Sequence, residues 1–256
     1  MAAIQACSAL VTGANRGLGL EMVKQLLEAH CSKIFAACRD PQGPNSEALR
    51  ELAKKHPGVV NLVQLDVADQ CSIKESAEKV GSLLGKNGLN LLVNNAAVLP
   101  QKTMLTATVE DMLNTFNTNV IGPLFVIREY LPYLRTAAKA KCKPGMSCDK
   151  AAVINISTDS ASMSIMPAME EPFPFFPYSI SKAGLNMLTI YTARDLKADG
   201  ILCISLHPGW VRTDMGGDEA SIDARESVEG MLRVIGSLTE KQNGAFLDYT
   251  GKTMPW

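Results

Sequence analysis

The sequence predicts an α/β protein with one doubly wound, mainly parallel β-sheet and helices on both of its faces. Short apolar runs alternate with longer segments in which apolar residues recur at helical spacing, which is typical of repeated βαβ units. The apolar runs lack strict polar alternation, as expected for strands covered on both faces. No repeat or linker divides the 256 residues, so we predict a single domain over residues 1–256.

The elements follow one another in a regular order. Six apolar runs are predicted strands: Ala6–Thr12, Lys33–Cys38, Val59–Asp66, Leu89–Asn94, Ala151–Ser157 and Ile201–His207. Five segments between them are predicted crossover helices: Gly19–His30, Pro44–His56, Ile73–Leu84, Val109–Leu134 and Tyr178–Asp199. Two stretches are predicted loops, Ala137–Lys150 and the proline- and phenylalanine-rich Met163–Pro177. The second loop either forms one wall of a pocket before Tyr178 or packs on its own core.

Composition excludes several classes of protein. Apolar residues make up 46% and charged residues 20% of the chain, which argues against disordered and fibrous proteins. The net charge of -1 offers no basic surface to nucleic acid or to an anionic membrane. No apolar run approaches the roughly 20 residues of a membrane-spanning helix. The scattered cysteines and histidines lack metal-ligand spacing, and no signal peptide is visible. We therefore expect a cytoplasmic protein with reduced thiols, without a metal ion, nucleic-acid partner or membrane partner.

A glycine-rich turn links the first predicted strand to the first predicted helix. Its sequence is Thr12-Gly13-Ala14-Asn15-Arg16-Gly17-Leu18-Gly19. Backbone N–H groups at a helix N-terminus bind phosphate, and glycines allow the tight turn and the close approach that a dinucleotide pyrophosphate needs. The spacing resembles the Thr-Gly-x-x-x-Gly-x-Gly turn of the short-chain dehydrogenase/reductase family, a Rossmann-type fold.

The end of the second strand predicts which dinucleotide binds. NAD-preferring folds place an acidic residue there, whereas this strand ends in Cys38-Arg39-Asp40. Arg39 and Arg16 offer two guanidinium groups that can pair with a 2′-phosphate, which favours NADP(H). The alternative is that both arginines are solvated and that Asp40 binds the ribose of NAD.

Tyr178 and Lys182 are predicted to act as a pair, since a spacing of four residues places them on one helical face. A nearby cation stabilises phenolate and is expected to lower the pKa of the phenol. Further motifs follow in the order of the same family: Asn94-Asn95-Ala96-Ala97, Asn117-Thr118-Asn119-Val120, Asn155-Ile156-Ser157-Thr158 and Pro208-Gly209-Trp210-Val211-Arg212-Thr213. Together they resemble a short-chain dehydrogenase/reductase across nearly the whole chain.

The resemblance implies a site and a division of roles. Tyr178 would give a proton to a carbonyl oxygen, Lys182 would assist it and hold the nicotinamide ribose, and Asn119 would anchor a water that replenishes the proton. Thr158 stands where the family usually has the substrate-orienting serine, and we prefer it to the neighbouring Ser157, which should point to the opposite face. The predicted cofactor-binding residues are Gly13, Asn15, Arg16, Gly17, Leu18, Gly19, Arg39, Asp66, Val67, Asn94, Ala96, Tyr178, Lys182, Pro208, Gly209, Val211 and Thr213.

Three segments resemble one branch of the family. Asn15–Gly19, His207–Gly217 and Gly251–Trp256 are similar to sniffer-type carbonyl reductases and C-factor-like proteins. This similarity implies an NADPH-dependent reductase of quinones, aldehydes or ketones that acts as a monomer or small homo-oligomer. Two alternatives stay open: an NADP(H)-sensing or signalling protein with little turnover, and an NAD-dependent alcohol dehydrogenase.

Overall fold

The computed structural model describes residues 6, 8–140, 145–169 and 174–256. Within these residues, seven parallel strands form one sheet in the order β3-β2-β1-β4-β5-β6-β7. The strands are β1 (Ser8–Thr12), β2 (Lys33–Cys38), β3 (Val60–Gln64), β4 (Leu91–Asn94), β5 (Ala152–Ile156), β6 (Leu202–His207) and β7 (Phe246–Asp248). The predicted fold class is confirmed.

Seven α-helices in the described part of the chain accompany the sheet. They are α1 (Gly17–Glu28), α2 (Glu47–Lys55), α3 (Gln70–Leu84), α4 (Val109–Phe116), α5 (Gly122–Ala140), α6 (Phe176–Asp195) and α7 (Ala224–Ser237). One apolar cluster packs the sheet against α1, α2 and α7, and a second packs its opposite face against α3, α5 and α6. Both faces are therefore covered, which explains why the strands read as continuous apolar runs.

The strand order reverses at β1, and this reversal positions the site. β1 pairs with β2 on one side, where Ser8 aligns with Lys33, and with β4 on the other, where Ala9 aligns with Leu91. The connections after these strands leave in opposite directions. A crevice consequently opens beyond the carboxyl ends of β1 and β4, where open α/β sheets bind their ligands.

The predicted helix Val109–Leu134 is interrupted. α4 begins with a capping box between Thr108 and Asp111, and a π-helical turn over Asn117–Ile121 then separates it from α5. α5 starts at Gly122, where a Cβ atom would lie 2.5 Å from the carbonyl oxygen of Val67. The backbone of this helix thus passes too close to the strand-to-helix loop for any larger residue.

Several predicted bounds are corrected by the structure. α5 continues to Ala140, so the first four residues of the predicted loop Ala137–Lys150 are helical; residues 141–144 of that loop lie outside the described residues. α6 begins at Phe176 and ends at Asp195, and a 3₁₀ turn occupies Lys197–Asp199. Residues 170–173 of the predicted loop Met163–Pro177 also lie outside the described residues, and Met166–Ala168 forms a 3₁₀ turn.

The remaining differences between the predicted and observed bounds of the strands are small. β1 begins at Ser8, β3 covers Val60–Gln64 and β4 begins at Leu91, each shorter than its apolar run. Sequence analysis also missed α7 and β7. The strand has only three residues, whereas the helix is strongly amphipathic and could have been recognised from its apolar spacing. No helix within the described ranges has the length and apolar character needed to cross a membrane.

Candidate active site

A cleft of about 650 Å³ runs along the carboxyl edge of the sheet. It extends from the glycine-rich turn, past the end of β2, to Tyr178 at the start of α6. Elements distant in sequence meet here because all parallel strands end at the same edge. The cleft is therefore the candidate site for a dinucleotide and a second small molecule.

The glycine-rich turn is held against the end of β4. The Thr12 hydroxyl accepts hydrogen bonds from the N–H groups of Asn95 and Ala96, both at 3.0 Å. The Asn95 amide donates back to the Thr12 carbonyl oxygen at 2.9 Å. Gly13 has a φ of +65°, and a Cβ there would lie 3.0 Å from the Cα of Ala96. Only glycine fits both this backbone conformation and this close approach.

The N-terminus of α1 opens toward the cleft. No side chain caps it, and its first turn contains no acidic residue, so its N–H groups and positive dipole end are available to an anion. Gly19 lies beneath the turn, where a Cβ would press on the carbonyl oxygen of Gly13. These features fit the pyrophosphate of a dinucleotide.

The two arginines predicted to bind a 2′-phosphate lie in different surroundings. The exposed Arg39 lines the cleft and has no hydrogen-bond or ion-pair partner among the described residues. The Arg16 guanidinium instead donates to the Asp214 carboxylate at 2.7 Å, an exposed pair between the glycine-rich turn and the loop after β6. Asp40 accepts a hydrogen bond from the N–H of Gln42 and stabilises its own turn. Arg39 is thus the available cation at the end of β2.

Tyr178 and Lys182 meet in the cleft as predicted from their spacing. The Lys182 ammonium lies 5.6 Å from the centre of the Tyr178 ring and donates to the carbonyl oxygen of Ile156 at 2.6 Å. The lysine is 2% exposed. The phenol hydroxyl has no hydrogen-bond partner within the residues that the structure describes, so it can bind a ligand oxygen in the cleft.

The predicted effect of Lys182 on Tyr178 differs from the electrostatics of the structure. Burial, with a smaller contribution from the Asp159 carboxylate, raises the pKa of the Tyr178 phenol. Burial also lowers the pKa of Lys182 to about 7, so the lysine is only partly charged near neutral pH. In this state the phenol is held protonated, which suits a proton donor better than a base.

The two candidate hydroxyl groups after β5 point in different directions. Ser157 is buried and donates to the side-chain oxygen of Asn186 at 2.6 Å. Thr158 is partly exposed and lines the cleft, where its hydroxyl donates to the Asp159 carboxylate at 3.0 Å. The Ser179 hydroxyl donates to that of Ser160, which ties this segment to the start of α6. The geometry supports the preference for Thr158.

Asn119 lies in the π-helical turn and is completely buried. Its side-chain oxygen accepts from the N–H of Val98 at 2.9 Å, and its amide donates to the Val98 carbonyl oxygen and to the Ser181 hydroxyl, both at 3.0 Å. Both amide protons are therefore in use. The side chain links α6 to the segment after β4, and it does not line the cleft.

Most predicted site residues line the cleft. Asn94 and Gly19, predicted to bind the cofactor, do not. Asn94 is buried beneath the cleft and donates to Asn155, while its neighbour Asn95 lines the cleft. The titratable lining residues that sequence analysis missed include Asp159 and His207, whose proximity depends on β5 and β6 lying side by side. Among the described residues, no group of three or more metal-ligating side chains could hold an ion.

Comparison with known proteins agrees with this geometry. The family model described as short chain dehydrogenase matches residues 8–223, most of the chain and all but the last strand of the sheet. The chain belongs to the short-chain dehydrogenase family. As a member of that family it is an oxidoreductase. The C-signal protein of Myxococcus xanthus is 37% identical over 169 residues, covering 66% of this chain and 93% of that protein.

Two solved structures of the family superpose closely on this short-chain dehydrogenase. The NADPH-bound carbonyl reductase from chicken fatty liver has a TM-score of 0.94 and 43% identity, covering 99% of this chain and all of that one. The carbonyl reductase Sniffer of D. melanogaster has a TM-score of 0.92 and 34% identity over 98% of this chain and all of that one. The predicted sniffer-type branch is confirmed.

Proposed function

We propose that this short-chain dehydrogenase reduces the carbonyl group of quinones, aldehydes or ketones with NADPH. The observation that carries the proposal is that the Tyr178 hydroxyl, which has no hydrogen-bond partner among the described residues, lines the same cleft as Thr158, with the Lys182 ammonium 5.6 Å from the centre of its ring. Two hydroxyl donors that line one cleft can bind one carbonyl oxygen. The similarity to carbonyl reductases supports the same reaction.

Each residue has a defined part in this proposal. NADPH supplies hydride to the carbonyl carbon when it is bound. The Tyr178 hydroxyl gives its proton to the carbonyl oxygen, and its raised pKa keeps that proton in place until the oxygen becomes basic. Lys182 stabilises the resulting phenolate and returns a proton to it. Thr158 orients the carbonyl oxygen after its hydroxyl rotates away from Asp159.

The proton supply behind Lys182 is assigned to the π-helical turn. The side-chain amide of Asn119 is occupied by Val98 and Ser181, so a water in this pathway would bind a backbone carbonyl oxygen of the turn. The π-turn replaces the usual helical bonds by i→i+5 bonds, such as the one from the Gly122 N–H to the Asn117 carbonyl oxygen, and a carbonyl oxygen has a second lone pair that can accept from a water. Asn119 then acts as a positioning residue that keeps the turn against α6.

The cofactor is NADP(H). Arg39 lines the cleft without a hydrogen-bond or ion-pair partner among the described residues, the carboxylate of Asp40 accepts a hydrogen bond in its own turn, and related structures contain NADPH or NADP. The remaining predicted cofactor residues would surround the pyrophosphate and the nicotinamide. We further propose a cytoplasmic protein that acts on small molecules as a monomer or small homo-oligomer.

Turnover separates this proposal from a sensor that binds cofactor without chemistry. NADPH absorbance would be followed with a panel of quinones, aldehydes and ketones for the native protein and for Tyr178→Phe. We expect turnover in the native protein and a loss of at least a hundredfold in the variant, within the range that general acid catalysis contributes. Binding of NADPH without turnover by either protein would favour the sensor.

Cofactor choice has its own test. Arg39→Ala should weaken NADPH binding by about tenfold to a hundredfold and leave NADH binding nearly unchanged, because only NADPH carries the 2′-phosphate. Isothermal titration with both dinucleotides measures this. Lys197→Ala, on the exposed 3₁₀ turn after α6, is the control. Equal losses for the two cofactors would contradict the assignment of Arg39 to the 2′-phosphate.

A further inference from the structure

The substrate end of the cleft contains an acidic side chain that the proposed reaction does not use. Asp159 follows Thr158 directly and lines the cleft, and its carboxylate is close enough to raise the pKa of Tyr178. One carboxylate oxygen accepts from the Thr158 hydroxyl at 3.0 Å and from the N–H of Ser160 at 2.7 Å. These bonds fix the orientation of the carboxylate.

The second oxygen of Asp159 is left for a ligand. It has no hydrogen-bond partner among the described residues, and its nearest cation-forming neighbour is the Nε2 atom of His207 at 3.8 Å, beyond hydrogen-bond distance. The side chain is 40% exposed, so a small molecule in the cleft can reach it. Burial lowers the pKa of His207, which keeps the imidazole neutral at pH 7.

Other cations along the cleft are engaged or distant. Arg16 is paired with Asp214, and Lys182 is buried and bonded to the Ile156 carbonyl oxygen. Arg39 lies at the end of β2, which is separated from β5 by two strands, β1 and β4. Within the described lining, the negative charge of Asp159 is therefore not neutralised by an ion pair. A substrate bound against Tyr178 meets a local negative potential.

The cleft also presents an aromatic face. Trp210 lines it with 48% of its surface exposed, and its indole N–H donates to the carbonyl oxygen of Gly216 at 2.8 Å, which fixes the ring. A carboxylate and an exposed aromatic ring that line one cleft form a combination that binds organic ammonium groups. A carboxylate on the substrate would instead be repelled.

We propose that Asp159 is a specificity-determining residue that makes this site select carbonyl compounds carrying an ammonium group and discriminate against those carrying a carboxylate. The proposal rests on the proposed carbonyl reduction at the same site. Asp159 acts through its charge at a fixed position, and the chemistry at the carbonyl carbon is the same for positively charged, neutral and negatively charged substrates.

Three para-substituted benzaldehydes test this inference. 4-(Trimethylammonio)benzaldehyde and 4-tert-butylbenzaldehyde have nearly the same shape and differ by one positive charge, and 4-formylbenzoate carries a negative charge. The readout is kcat/KM for each charged aldehyde divided by kcat/KM for the tert-butyl compound. Dividing by kcat/KM for the neutral compound removes any effect of a substitution on Thr158 that is common to all aldehydes. Comparing the same ratio between the native protein and a variant removes the difference in intrinsic reactivity between the aldehydes.

Asp159→Asn should lower the ratio for the ammonium compound by about tenfold and raise the ratio for the carboxylate by about tenfold, each equal to about 1.4 kcal/mol. Asp159→Ser should move both ratios in the same directions. Asp195→Asn, at the exposed end of α6 and paired with Arg194, is the matched control and should change neither ratio. Unchanged ratios in both Asp159 variants, with the neutral aldehyde still reduced, would overturn the inference alone.

A binding measurement keeps the two proposals separate. Isothermal titration of the NADP⁺-loaded protein with phenyltrimethylammonium and with benzoate requires no turnover. The native protein should bind the ammonium compound at least tenfold more tightly than Asp159→Asn does, and benzoate less tightly than the variant does. If no aldehyde is reduced but this pattern holds, the reductase proposal fails and the charge selectivity stands. The reverse result, turnover without any charge selectivity, would refute the role of Asp159.

Discussion

Replacing Lys182 by Met should abolish turnover while making the protein more stable at neutral pH. Lys182 is 2% exposed, and burial lowers its pKa from 10.5 to about 7. An unfolded chain keeps the ordinary lysine pKa, so the unfolded state binds more protons than the native state between pH 7 and 10.5. The native protein is consequently penalised in full below pH 7 and recovers stability as the pH rises through this range.

The size of the effect follows from the shift. One pKa unit corresponds to about 1.4 kcal/mol, so the penalty on Lys182 is at most about 4 to 5 kcal/mol at pH 7. Methionine removes this penalty but also loses the hydrogen bond to the Ile156 carbonyl oxygen, which is worth about 1 to 2 kcal/mol. A net gain of about 3 kcal/mol corresponds to a Tm increase of roughly 6 to 12 °C for a chain of this size.

Thermal unfolding followed by circular dichroism at pH 7, 8 and 9 measures this gain. The advantage of Lys182→Met should shrink by about 1 to 1.4 kcal/mol for each pH unit, because the native lysine is largely neutral over this range while the unfolded lysine stays protonated. Lys197→Met, on the exposed turn after α6, is the matched control and should show no such trend. A variant that is less stable than the native protein at pH 7, or a difference that does not depend on pH, would refute this account of Lys182.

Two further predictions concern residues that shape the fold around the site. Gly19→Ala should raise the Kd for NADPH at least tenfold in a fluorescence titration and lower the free energy of unfolding by about 1 to 3 kcal/mol. The new Cβ would press on the Gly13 carbonyl oxygen and lie 2.7 Å from the Asn95 amide nitrogen, and an unchanged Kd and Tm would contradict this. Tyr130→Phe should lower the free energy of unfolding by about 1 kcal/mol in a urea titration, because the buried Tyr130 hydroxyl loses its hydrogen bond with the Ser76 hydroxyl, 3.0 Å away. It should leave kcat/KM unchanged, since Tyr130 does not line the cleft, and a drop in activity would contradict this.

Local pattern was sufficient for the architecture because each element is specified mainly by its own residues. The strand Lys33–Cys38 has the bounds that its apolar run predicts, and the glycine-rich turn lies between β1 and α1 as its sequence requires. The spacing of Tyr178 and Lys182 likewise fixes their common helical face. α7 and β7 were missed for different reasons, since the helix has a recognisable period and the strand is too short to show one.

Hydrogen bonds between elements that are distant in sequence could not be predicted from local pattern. Arg16 pairs with Asp214, 198 residues away, and the π-turn around Asn119 is fixed by contacts with Val98 and Ser181. Asn94 was predicted at the cofactor, but its side chain turns under the sheet edge toward Asn155. The partner of each of these side chains depends on which polar groups lie near it in space, and the sequence contains several residues that could form the same kind of hydrogen bond.

Sequence patterns alone were enough to predict the family, the order of the elements up to β6 and most of the residues that gather at the carboxyl edge of the sheet. The electrostatics of that edge depend on the packed structure, in which Tyr178 is protonated, Lys182 is partly neutral and Asp159 has no charged partner among the described residues. Periodicity and motif spacing act over a few residues and can be read along the chain. Desolvation and charge pairing depend on every group that packing brings within a few ångströms, and the order of residues does not encode them directly.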